Sequence, residues 1–148
     1  MAYIETQDLI SELGEDKLVQ LTDDEGTGEV NETRVLKAIE YAQGVFDSYA
    51  RSRYTLPVPT TPMVKSLNLD MAVFHLYKSR ATVAKDGLYE IRKNAADDAM
   101  KLLRDIAQGK AALDVPAIEE TAENPGTPDR VLTNAGRQKF TDEALSGF

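Results

Sequence analysis

Asn31 to Pro59 reads NETRVLKAIEYAQGVFDSYARSRYTLPVP, and the spacing inside it decides the fold. Val35, Ile39, Ala42, Phe46, Tyr49 and Arg53 follow at steps of four, three, four, three and four, which stacks their side chains along one helical face. Asn31 suits an N-cap, and Glu32 places an anion in the first turn, where the helix dipole favours it. A helix from Glu32 to Arg53 would be about 33 Å long at 1.5 Å of rise per residue, the width of a small domain. The run stops at Leu56-Pro57-Val58-Pro59, because each proline lacks an N–H and pushes its predecessor toward extended angles. Arg53, Tyr54, Leu56 and Pro57 therefore form a helix-breaking junction.

Downstream, Thr61 caps and Pro62 opens a second long helix, expected over Met63 to about Lys85. Leu67, Met71, Phe74 and Lys78 lie on one stripe and Leu69, Val73, Leu76 and Arg80 on another, so this helix is expected at the centre, buried from two sides. Asp86-Gly87 makes the next turn. Leu88, Ile91, Ala95, Ala99, Leu102 and Ile106 then mark a third rod ending at Gly109, with Asp97, Asp98, Lys101 and Arg104 outward. Short connections between long rods imply antiparallel neighbours. The expected fold is all-α: an antiparallel bundle of three long helices.

Upstream, Thr6 can cap a short helix over Gln7–Leu13, stopped by Gly14, and Asp16–Leu21 gives one or two more turns. The loop TDDEGTGEV from Thr22 to Val30 resembles a calcium loop when Asp23 takes the first position. The closing position falls on Arg34, a cation where a bidentate glutamate is required, so a solvated loop fits better. Gly44 interrupts the first rod at a cost of about 1 kcal/mol relative to alanine. Either another backbone passes close by, or the exposed turn tolerates it.

Beyond Asp114 the character changes. Ala117 to Arg130 carries Glu119, Glu120, Glu123, Asn124-Pro125-Gly126 and Pro128, the composition of a linker. Val131, Leu132, Phe140, Leu145 and Phe148 follow, too loosely spaced for a core element: a disordered tail is expected in the isolated chain, and an arm anchored by these hydrophobes on a partner. The expected organisation is a helical domain over 1–113 and a linker with an extended C-terminal arm over 114–148.

The chain of 148 residues has a net charge of −8, and the charge is segregated: residues 1–30 carry nine acids and one base, while 31–113 carry nine acids and thirteen bases. That distribution argues against duplex DNA binding, which needs clustered Lys and Arg. It fits a solvated acidic edge, and it also allows the acidic part of one copy to meet the mildly basic middle of another. With no cysteine there is no disulfide framework and no thiolate zinc site. No run reaches the roughly 20 apolar residues of a membrane span, and the first residues lack the pattern of a signal peptide, so a soluble protein is expected.

Nothing in the sequence supplies a catalytic site or a cofactor site. His75, the only histidine, sits between Phe74 and Leu76 and fits a packed or rim position better than a base. A di-iron Glu-x-x-His pair would need an acid where Ala72 stands. Neither glycine-rich phosphate motif occurs, and Asp97-Asp98 point about 100° apart on a helix, which suits a solvated face. A non-enzyme is expected.

Several spaced residues resemble the neck or head-completion proteins of Mu-like tailed phages, which are similar in shape to helical head-to-tail connector adaptors. They are Tyr3, Thr6, Asp8-Leu9, Gly14, Leu21-Thr22-Asp23, Ala38-Ile39, Ala42, Asp47-Ser48-Tyr49 and, most specifically, Arg53-Tyr54-Thr55-Leu56-Pro57. The likeness resumes at Leu67, Ala72, Leu76-Tyr77, Ala96, Leu103, Ile106-Ala107 and Gly109-Lys110, and ends on Lys139-Phe140 and Gly147-Phe148. Lys93 departs from it, since an aromatic is expected after Arg92.

The resemblance implies a structural virion protein of the head-tail neck, made in the host cytoplasm. It would form a ring of about twelve copies of itself below the portal protein and above a tail or tail-completion protein. Genome DNA would pass through the channel without specific binding, with no membrane and no cofactor involved. The competing expectation is a small non-enzymatic scaffold or regulatory binding protein of a phage or prophage.

Overall fold

The computed structural model describes residues 2–80 and 87–118. Five α-helices follow in order, and no strand occurs among the described residues: α1 (Thr6–Leu13), α2 (Glu15–Thr22), α3 (Glu32–Ala50), α4 (Pro62–Ser79) and α5 (Leu88–Ala107). The chain divides into two compact units, Met1–Ile118 and Glu119–Phe148, and the described residues belong to the first. Expected to run to about Lys85, α4 instead ends at Ser79, where Arg80 takes a non-helical cap conformation; residues 81–86 and the arm residues Val131, Leu132, Phe140, Leu145 and Phe148 lie outside the described residues.

The central position of α4 is as expected. It packs on both α3 and α5, each more extensively than those two pack on one another. Asn31 caps α3, its side chain accepting from Arg34 N–H, and Thr61 caps α4, accepting from Val64 N–H, with Pro62 opening the first turn. Val35, Ile39, Ala42 and Phe46 are buried along α3 as the spacing predicts, joined by Ala38 and Ala50. From α4, Leu67, Met71, Val73 and Leu76 are buried, together with Val64, Ala72 and Tyr77. Gly44 lies on an exposed turn with open space beside it, so no neighbouring backbone demands a glycine there.

Two further helix boundaries and one buried face differ from the expectation. The first long helix ends at Ala50 and not at Arg53, because residues 51–53 tighten into turns, with Arg53 N–H bonding Ala50 C=O. The first short helix begins at Thr6 with Glu5 as its cap residue: the Asp8 carboxylate accepts from Glu5 N–H at 2.9 Å, the reciprocal half of a capping box. In α5 the buried residues are Ala96, Ala99, Leu103 and Ile106, whereas Ile91 is 61% exposed. Ala99 and Ile106 are buried as the spacing predicts, while Ala96 and Leu103 take the places expected for Ala95 and Leu102, and the alanines on the buried face let α5 lie close to its neighbours.

The short helices attach to the long ones through charge. Asp8 pairs with Lys65 at 2.7 Å and Glu12 with Arg92 at 2.7 Å, while Asp24 reaches both Arg34 and Arg80. Part of the charge segregation between the N-terminal residues and the middle is therefore consumed within one chain. Burial pulls the Asp8 carboxyl up, but hydrogen bonds from Lys65 and Glu5 N–H and the Lys65 charge outweigh it, and its pKa lies below the ordinary value. Asp23 accepts from Thr27 N–H at 3.0 Å and Gly28 N–H at 2.8 Å. These bonds hold its pKa down and occupy the carboxylate a calcium ion would need.

Asp70 on α4 stands in the opposite situation. Burial, and then the nearby Glu12 charge, push its carboxyl pKa up against the pull of Arg92. The native side chain then keeps a proton at a pH where the unfolded one has lost it, so stability declines as pH rises through the carboxylate range. Asp70→Asn should raise the melting temperature at neutral pH. The gain should vanish in acid, where both side chains are neutral; thermal unfolding across pH measures it.

Candidate functional site

Two features of the described surface can bear on function: the junction after α3, and a groove beside Tyr41. At the junction, Tyr54 is buried and Leu56 half-buried, while Pro57, joined to Leu56 by a cis bond, is exposed. Arg53 is half-buried. The junction is where distant segments are tied together. The Tyr54 hydroxyl accepts from Leu113 N–H at 2.8 Å, and Arg53 C=O accepts from Ile118 N–H at 2.8 Å. Thr61 Oγ1 donates to Asp114 Oδ1 at 2.6 Å.

From the other end of the chain, the Tyr3 hydroxyl donates to Asp47 Oδ1 at 2.7 Å and accepts from Val58 N–H at 3.3 Å, with its ring edge-on to Phe46 at 4.9 Å. Burial, followed by the bond to Asp47, pushes the Tyr3 pKa well above that of a free tyrosine. Gly109 turns the chain out of α5 with φ of 76° directly beneath the Arg53 guanidinium. A side chain there would meet both a strained backbone and that cation. The junction thus sets where the segment after α5 leaves the helices.

The sequence pointed to Arg53, Tyr54, Leu56 and Pro57, and the structure brings them to this hub. It missed the partners. Leu113 and Ile118 join through backbone N–H groups, which carry no residue-type signal, and Tyr3, although one of the residues that carry the family resemblance, has no local pattern pointing to the junction.

The groove was missed altogether. Tyr41 is 48% exposed on α3 and stacks on His75 of α4 at 4.4 Å. On one side a hollow of about 340 Å³ is lined by Tyr41, Phe74, His75, Lys78 and Ser79. On the other, a hollow of about 300 Å³ lies among Tyr41, Met71, Phe74, Met100 and Arg104, with Asp97 as its carboxylate. Burial, and then Lys78, lower the His75 pKa, which favours a neutral ring at neutral pH. The available signal was a tyrosine lying off the apolar stripe of α3.

Among the described residues no group of three or more His, Asp or Glu could hold a metal ion, and no helix is long and apolar enough to cross a membrane. The described residues thus form a helical unit with a cross-tied junction and a half-exposed aromatic groove. The chain belongs to the family described as Bacteriophage Mu, Gp36, whose model matches residues 3–131. It is 32% identical over 96 residues to the Mu-like prophage FluMu protein gp36 of Haemophilus influenzae. That match covers 64% of this chain and 63% of the relative's length.

Proposed function

We propose that this protein is a head-to-tail connector: an antiparallel bundle of three long helices that forms a ring below the portal protein, with the segment after residue 128 acting as an extended arm. The observation that carries the proposal is membership in the Mu Gp36 family across the whole helical unit. Its work is joining, not chemistry, and its site is virion-bound, in the neck. The ring touches the portal on one side and a tail or tail-completion protein on the other, and genome DNA passes through the channel without specific binding. Glu15, Asp16, Glu25 and Glu29 are exposed and make no ion pair among the described residues, which suits them to a lumen that repels phosphate.

The arm supplies the grip. Val131, Leu132, Phe140, Leu145 and Phe148 are its anchors, and the prolines before them favour an extended linker. Deleting residues 129–148 should leave helical circular dichroism unchanged per residue in the helical unit and abolish binding to purified portal protein. Normal portal binding by the truncated chain would remove the arm from the account.

A further inference from the structure

The geometry points to a head-to-tail contact between two copies of this chain, in which Ile91 of one copy seats in the groove beside Tyr41 of the next. Ile91 and Met100 are nine residues apart on α5, which is about two and a half turns. They therefore face opposite sides of the same helix. Met100 lines the groove, and Ile91, 61% exposed, is the most exposed large apolar side chain among the described residues. A knob and a hollow on opposite sides of one element cannot meet within a chain or across a two-fold axis. They can meet only by translation or rotation to the next copy, the kind of contact that closes into rings.

Charge matches the two surfaces. Asp98 lies two turns beyond Ile91 on the same face; it is exposed and makes no ion pair among the described residues. The groove presents Lys78 and Arg104 from its lining and Lys37 one turn before Tyr41, likewise unpaired among the described residues, against the single carboxylate of Asp97. An acidic ridge with an apolar tip thus faces a cationic rim around an aromatic floor. Isoleucine fits a hollow of this size, and the flanking ion pairs set orientation. The inference rests on the ring reading above and names the surfaces that build the ring.

The chain has no cysteine, so thiols can be introduced singly. Asn94→Cys places one on the Ile91 ridge and Ser79→Cys one in the groove, leaving Ile91 and Tyr41 intact. With a short bis-maleimide and the full-length protein, the two single variants mixed should give a crosslinked dimer, the double variant a ladder, and each single variant alone no product. Ile91→Asp should suppress the ladder, weaken association by about tenfold or more, and keep native circular dichroism. Self-crosslinking of Asn94→Cys alone, or a wild-type chain that is monomeric in sedimentation up to millimolar concentration, overturns the contact. An Ile91→Asp chain that still binds portal and still occupies the neck would overturn this contact and leave the connector reading standing.

Discussion

Replacing Tyr54 with alanine should destabilise the helical unit by about 3–5 kcal/mol, the usual cost of removing a fully buried aromatic side chain. The ring is 2% exposed and fills the space behind the α3 terminus, and its hydroxyl is the partner of Leu113 N–H. Typical domains have only about 5–15 kcal/mol in total, so a large share of the chain should be unfolded at modest denaturant. Tyr54→Phe separates the two roles. It keeps the ring and strands the Leu113 N–H, for an expected loss of about 1–3 kcal/mol. Amide exchange at Leu113 should accelerate in Tyr54→Phe while exchange in the middle of α4 stays slow. Wild-type exchange at Leu113 in that variant would mean that the hydroxyl does not fasten the segment after α5.

The second large effect belongs to Tyr3. Its hydroxyl donates to a carboxylate and accepts from the backbone of Val58, so Tyr3→Phe leaves two groups without their partner. Hydrogen bonds to charged groups contribute about 1.5–3 kcal/mol, and the variant should lose an amount in that range at neutral pH. Alkaline unfolding gives an independent readout. Tyrosine in an unfolded chain ionises near pH 10, whereas native Tyr3 holds its proton higher, because of burial and the bond to Asp47. The native state then binds more protons, and stability falls as pH rises past the ordinary tyrosine value. Tyr3→Phe should show a shallower alkaline decline than the wild type. Equal slopes would contradict a native Tyr3 that holds its proton above the ordinary tyrosine value.

What the sequence made legible was whatever depends on local periodicity and on residue type at a helix end. The spacing of Val35, Ile39, Ala42 and Phe46 named the core face of α3, and Asn31, Thr61 and Pro62 marked where helices begin. The helix-breaking junction at Arg53, Tyr54, Leu56 and Pro57 came from the same local rules, whereas the burial of Tyr54 did not. The failures share a different origin. On α5, Ala99 and Ile106 of the expected stripe are buried, but Ile91 outranks Ala96 on any hydrophobicity scale and is nonetheless exposed while Ala96 is buried, since close approach of α4 rewards small side chains over large ones. The backbone groups of Leu113 and Ile118 tie into the junction whatever their side chains are.

The segregated charge fits a solvated acidic edge or a means for one copy to meet another. In the structure, Asp8, Glu12 and Asp24 of the acidic stretch pair with Lys65, Arg92, Arg34 and Arg80 of the same chain. A net-charge profile cannot distinguish pairing within a chain from pairing between chains. That distinction needs the three-dimensional position of each side chain, and it moves the candidate contact between copies from the N-terminal acids to the ridge of Ile91 and Asp98.

The central claim is that this protein joins a capsid to a tail by forming a ring, and imaging the neck of the intact phage particle at side-chain resolution tests it most directly. The account expects a closed ring of this chain directly below the portal, with a chain segment from each copy reaching the portal or a neighbour. A neck that lacks this chain, or one in which it sits as isolated copies away from the portal axis, would contradict it.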